Sequence, residues 1–172
     1  MDRCSLIIGN LCSLLAMGTD SLSAAQKTAK RVLWVQNISQ SIYCIGTIFL
    51  KGYSGSVQNA VSILRNLAAI RQISQKWIEW TLTALGVVLG LAFNTIGWMG
   101  LLPVIANLQY TLVMFRFKGN ERVLKVSFCA NALMFALFSW AIQNYVGIVT
   151  NLVVAVTTAV FLYRTKPQKT AE

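Results

Sequence analysis

Two asparagines carry the first chemical signal in the chain. Residues 53–59 read YSGSVQN and residues 145–151 read YVGIVTN, so one phrase, Tyr-x-Gly-x-Val-x-Asn, occurs twice and ends on Asn59 and Asn151. A side-chain amide donates and accepts hydrogen bonds at once, which suits recognition of a polar solute more than bond-making. Each amide lies in an apolar stretch, where an unpartnered amide is costly. At equivalent places of a repeat, two inward-pointing amides would face each other across the repeat axis. Tyr53 and Tyr145 read as interfacial anchors, and Gly55 and Gly147 as points where helices approach closely.

The remaining chemical inventory is sparse. There is no histidine, and the five acids are Asp2, Asp20, Glu79, Glu121 and Glu172. Only Asp20 falls inside an apolar stretch, as Arg65 does in another. Arg65 has three readings: snorkelling to headgroups, anchoring an anionic or carbonyl-bearing solute, or pairing with Asp20 as an inner gate. Gln40, Asn107 and Asn131 are further lining candidates, each with a plain alternative as helix–helix glue. No carboxylate pair, Ser–His arrangement, zinc ligand set or phosphate loop is written here, so no enzyme activity, metal or cofactor is expected. Strong proton coupling is not expected either, because such carriers place several acids or histidines in the path. Cys4, Cys12, Cys44 and Cys129 form no CxxC pair and read as small thiols.

The elements that must position these residues are membrane helices. The chain of 172 residues is 56% hydrophobic and 12% charged, about half the charge of a soluble domain. The chain contains long apolar runs such as WTLTALGVVLGLAF (80–93) and VGIVTNLVVAVTTAVFLY (146–163), and a bilayer core takes about 20 mostly apolar residues per helix, so the chain fits several spans. The pattern predicts an all-α membrane protein with seven helices at 5–24, 31–50, 54–72, 79–93, 97–117, 122–143 and 145–164. The first apolar stretch reads as a helix that stays, not as a cleaved signal. The net charge of +10 sits in short clusters between apolar runs, which argues for lipid headgroups and against nucleic acid.

Charge also orients the chain. With the C-terminus in the cytoplasm, Lys27, Lys30, Arg31, Arg71, Lys76, Arg116, Lys118, Arg122, Lys125, Arg164, Lys166, Lys169 and Arg65 lie toward the inside, and only Arg3 and Lys51 lie outside. That bias predicts a periplasmic N-terminus and a cytoplasmic C-terminus. Trp77 and Trp80 then belong to an inner aromatic belt and Trp98 to an outer one.

The repeat extends beyond the phrase. At an offset of 91, Gly9 meets Gly100, Leu11 meets Leu102, RVL at 31–33 meets RVL at 122–124, and Gln40 meets Asn131. One extra residue near position 53 then makes the offset 92. Helices 1–3 therefore match helices 5–7 around an unpaired helix 4, a parallel repeat with its axis along the membrane normal. The expected units are 1–76, a linker helix at 77–96, and 97–172 with a short basic tail.

A three-plus-one-plus-three plan with parallel halves resembles the SWEET (MtN3) sugar-transporter superfamily. The stretch 131–163 looks like its helices 6 and 7, with Asn131, Trp140, Tyr145, Asn151 and Tyr163 in familiar order. SILRNLAAIR (62–71), LLPVIANL (101–108) and KGNERVL (118–124) more specifically resemble the bacterial inner-membrane family named for YgjV. The first resemblance implies that Asn59 and Asn151 touch the solute and that Trp140, with Phe49 as its repeat-mate, packs beside it. It also implies a hinge at Pro103, although Cys12 stands at the matching place in helix 1.

Together these readings predict a facilitator working by alternating access at the bacterial inner membrane. Its solute would be small and polar, sugar-like or vitamin-like, and a homo-oligomer is compatible with it. The alternative is a receptor or scaffold on the same superfold, without transport.

Overall fold

The computed structural model describes residues 2–24, 29–71, 76–116 and 121–164. Among these residues there are seven α-helices and no strand: α1 (Arg3–Ala24), α2 (Ala29–Phe49), α3 (Tyr53–Ile70), α4 (Lys76–Ala92), α5 (Leu102–Arg116), α6 (Glu121–Ala141) and α7 (Tyr145–Arg164). Lys27, Lys118, Lys166 and Lys169 of the expected basic face lie outside the described residues.

The helix boundaries follow the expected ones within a few residues, with one exception. The fifth helix was expected from residue 97, but Gly97–Leu101 form a 3-10 turn before α5 begins. Asn94 builds that turn. Its Oδ1 accepts from the Ile96 amide at 3.2 Å, and its Nδ2 donates to the Gly97 carbonyl at 2.7 Å. Gly97 takes φ +64, which a side chain would resist. Pro103 then sits in the first turn of α5, where a missing amide hydrogen costs nothing.

One turn geometry occurs twice, at Lys51 and at Gln143. Lys51 and Gln143 are the non-glycine residues with positive φ among those described, at 57° and 58°. Around Lys51, Lys51 N donates to Ile48 O and Gly52 N to Thr47 O; around Gln143, Gln143 N donates to Trp140 O and Asn144 N to Ser139 O. Every partner in one turn lies 92 residues from its counterpart in the other. These are left-handed helix-ending turns of one design, and each delivers the chain straight into the repeated phrase.

Packing arranges six helices in a ring. α2 packs on α1 and α3, and α6 packs on α5 and α7. The ring closes where α1 meets α7 and where α3 meets α5, while α4 lies against α3 and α5 outside it. Small residues set the close approaches. A Cβ on Gly46 would lie 2.8 Å from Cys12 Cβ, and one on Gly90 would lie 2.6 Å from Val104 Cγ2. Such contacts are how membrane helices gain dispersion energy without help from the hydrophobic effect.

The distribution of side chains is inverted relative to a water-soluble protein. Ser13, Asn37, Ser39, Ser54, Gln58, Ser127, Ser139 and Asn144 are buried, whereas Ile7, Leu15, Leu22, Val88, Val149 and Val156 stand outward. An outer surface of branched aliphatics around an amide- and hydroxyl-rich interior fits lipid outside and hydrogen bonding inside. Arg3–Leu22 and Tyr145–Arg164 are each long and apolar enough to cross a bilayer alone. The other helices are shorter or carry polar residues along their length, such as Gln36, Ser39 and Gln40 of α2.

Candidate functional site

Inside the ring lies a cavity of about 590 Å³. Its walls are helix stripes with the spacing of one helical face. α2 contributes Gln36, Gln40, Tyr43 and Thr47, and α6 contributes Phe128, Ala132, Phe135 and Ser139, each 92 residues further on. α3 contributes Gly55, Asn59 and Ser62, and α7 contributes Gly147, Asn151 and Val154, again 92 residues further on. The two halves of the wall therefore correspond in position and only partly in chemistry: Asn59 matches Asn151 and Thr47 matches Ser139, whereas Gln36 matches Phe128, Gln40 matches Ala132 and Ser62 matches Val154.

Asn59 and Asn151 both line this cavity. Asn151 Nδ2 donates back to Gly147 O at 2.8 Å, leaving its carbonyl oxygen to the interior. Gln40, Asn107, Asn131 and Arg65 line it as well, as does Asp20. Asn131 Nδ2 is tied to Ala106 O at 3.0 Å and Asn107 Nδ2 to Gln58 Oε1 at 3.0 Å, so these two amides also hold α5 in place. Gln58 completes the tie by donating to Gly86 O of α4 at 2.8 Å.

Three expected site residues are placed elsewhere. Trp140 is 63% exposed, on the outer face of α6. Phe49 ends α2 and is also turned outward. The aromatic rings that line the cavity are instead Tyr43, Tyr110, Phe128, Phe135 and Phe138. For Phe49 the cause is register. α2 and α6 run at an offset of 92, so Phe49 corresponds to Ala141 and Gln40 to Ala132. A slip of one residue turns a helix by about 100°, enough to move a ring from the cavity to the lipid side. Pro103 is fully buried at the start of α5, away from the cavity wall.

The expected Asp20–Arg65 ion pair is not formed. Asp20 accepts a short hydrogen bond from the Ser39 hydroxyl, and Arg65 Nη1 reaches Thr111 Oγ1 at 3.5 Å. α1 and α3 do not pack on each other, because α2 stands between them. Both residues nonetheless face the same cavity.

The end of the cavity beside the two repeated turns is closed. Leu50, Phe138 and Ile142 form a buried cluster there, with Leu6, Ile96, Leu102 and Phe135 packed around it. Gly52 and Gly55 make room for it: a Cβ on Gly55 would sit 2.5 Å from Phe138 Cε1. The seam between α1 and α7 is zipped from the same end. Asn10 Nδ2 donates to Gln143 O at 3.0 Å and Asn10 Oδ1 accepts from Val146 N at 3.2 Å. Asn144 Nδ2 donates to Ser13 Oγ at 2.8 Å, and Thr150 Oγ1 to Met17 Sδ at 3.0 Å. Residues 10, 13 and 17 follow one helical stripe, and its next member, Asp20, faces the cavity. The zip thus ends where the charged lining begins.

Sequence reasoning passed over Gln36, Tyr43, Thr47, Tyr110, Ser139, Asn144 and Thr150 as lining residues. The usable signal was the 36-40-43-47 polar stripe, which in a lipid-facing helix marks the inner face. The four cysteines are free thiols, and the described residues hold no cluster of metal-ligating side chains.

A model of a family described as a bacterial inner membrane protein, Imp-YgjV, matches residues 7–169. No curated protein and no solved structure matches the chain.

Proposed function

We propose a transport function for this chain, which belongs to the bacterial inner membrane protein family Imp-YgjV. In this reading it is a facilitator for a small polar solute, working by alternating access. The observation that carries it is the cavity: about 590 Å³ lined by amides, hydroxyls and aromatic rings, inside a body whose outer surface is aliphatic. A structural core of that character would be packed shut, since an unfilled polar interior loses both dispersion and hydrogen bonding. The volume matches ligand sites for small molecules.

The proposed architecture is two parallel three-helix units, α1–α3 and α5–α7, joined by α4, as in SWEET-like carriers. Seven spans with the C-terminus in the cytoplasm put the zipped turn end at the periplasm and the Asp20–Arg65 end toward the cytoplasm. The present conformation is then closed outward. Rocking of the two units would unzip the α1–α7 seam and part the Leu50–Phe138–Ile142 cluster. No coupling group is required, so flow follows the solute gradient.

The test is solute counterflow in proteoliposomes holding the purified chain, with pooled labelled polar metabolites. Saturable flux above protein-free vesicles, lost in Asn59→Ala/Asn151→Ala, is the expected result. A solute that stabilises the purified chain yet shows no flux would replace transport with the receptor reading. Topology is checked separately: a C-terminal fluorescent reporter should be active, and a C-terminal alkaline phosphatase inactive.

A further inference from the structure

Asp20 and Arg65 are the charged side chains among the described residues lining the cavity, and they do not neutralise each other. Asp20 has a neutral partner, Ser39, and Arg65 has a long contact with the neutral Thr111 and the Tyr110 phenol nearby. Each charge is therefore exposed to a confined, partly apolar space in which an unpaired ion is costly. They stand on helices that α2 separates, with Gln36, Gln40 and Tyr43 of α2 in the wall between them.

This arrangement discriminates by charge type. An anion that reaches Arg65 meets Asp20 in the same space, and a cation that reaches Asp20 meets Arg65. A neutral solute leaves both charges uncompensated. A solute with one charge of each sign compensates both. The guanidinium offers a planar fork that matches a carboxylate, and the aspartate accepts from an ammonium. α1 and α3 do not pack on each other, so the two charges enter the cavity from walls on either side of α2.

Resting on the solute-carrier reading, we propose that the cavity takes a zwitterion, with its ammonium toward Asp20, its carboxylate toward Arg65 and its middle along the polar stripe of α2. An amino acid or a dipeptide has the required form.

The test is thermal shift and calorimetry on the full purified chain in detergent. The probes are glycine, 4-aminobutyrate, 6-aminohexanoate and diglycine, against butyrate, butylamine and a neutral polyol. The expected result is that at least one of the zwitterions binds about tenfold or more tighter than butyrate and butylamine, the size of one charge-assisted hydrogen bond. Asp20→Asn should remove the preference over the acid, Arg65→Gln should remove the preference over the amine, and Arg65→Lys should retain part of it. A merely structural role for either residue would weaken all probes alike. The inference is overturned if no zwitterion is preferred, or if the preference survives both substitutions. Flux of a neutral polyol with every zwitterion inert would overturn it while leaving the carrier reading standing. Absence of binding and of flux for every class would remove both.

Discussion

Lys51 and Gln143 stand 92 residues apart and hold the same left-handed backbone conformation, φ 57 and φ 58. The amide following each donates to the carbonyl of Thr47 or Ser139, themselves 92 residues apart and both on the cavity wall. The repeat is therefore carried by backbone geometry as well as by the Tyr-x-Gly-x-Val-x-Asn phrase. The same turn sets the inward face of the helix before it and the start of the helix after it.

That equivalence predicts matched responses. Lys51→Val and Gln143→Val should each destabilise the chain by about 1–2 kcal/mol, because a β-branched residue resists positive φ. Lys51→Gly and Gln143→Gly should be tolerated or mildly stabilising. Denaturation in detergent measures all four. A large loss at one turn and none at the other would break the equivalence.

The closed end depends on a missing methyl group. Gly55→Ala should cost about 1–3 kcal/mol, because the added Cβ would enter the Phe138 ring and force overpacking. Phe138→Leu in the same chain should recover part of that loss. Gly18→Ala is the control, since nothing lies within 4 Å of a Cβ there. An equal cost at Gly18 would mean that the effect is general to helix substitution.

Asn144 does two jobs at once. Its Oδ1 accepts from Gly147 N at 2.9 Å, capping α7, and its Nδ2 holds Ser13 of α1. Asn144→Ala should cost about 1–3 kcal/mol, combining a lost cap with a buried hydroxyl left unpaired. Asn144→Asp keeps the cap acceptor and loses the amide donor to Ser13. It should therefore loosen the α1–α7 seam while sparing helix α7. Circular dichroism together with thiol labelling of a cysteine introduced by Met17→Cys, further along the seam, separates the two effects.

Aromatic substitutions sort the wall from the outer face. Tyr43→Ala and Phe135→Ala should weaken solute binding about tenfold or more. Trp140→Ala and Phe49→Ala should change it less than about threefold, since both side chains are turned away from the cavity. The comparison is made by ligand titration of the purified variants. The reverse order would restore Trp140 to the site.

The helices were legible because apolar runs broken by charged or glycine-containing segments state length and ends directly. The lining amides Asn59, Asn151, Gln40, Asn107 and Asn131 were legible for a related reason: an amide within an apolar run has few places to go but inward. The register of α2 against α6 was not legible. RVL at 31–33 and at 122–124 supports an offset of 91, while the fold uses 92 from α2 onward, and that single residue moved the repeat-mate of Trp140 from Ile48 to Phe49. Nor could sequence show that α2 separates α1 from α3. Asp20 and Arg65 seem natural partners by depth along their helices, yet neighbourhood in the ring is set by packing that composition does not encode.

Alternating access to the Asn59–Asn151 cavity is the central claim, and cysteine accessibility tests it most directly. Cys4, Cys12, Cys44 and Cys129 are first replaced by serine or alanine, and Asn59→Cys is introduced as the reporter. A membrane-impermeant thiol reagent is then applied to intact spheroplasts and to inside-out vesicles. The account predicts labelling from both sides, faster from the cytoplasmic side because the turn end is closed in the resting conformation, with the solute altering both rates. Labelling from one side alone, unchanged by any solute, would contradict it.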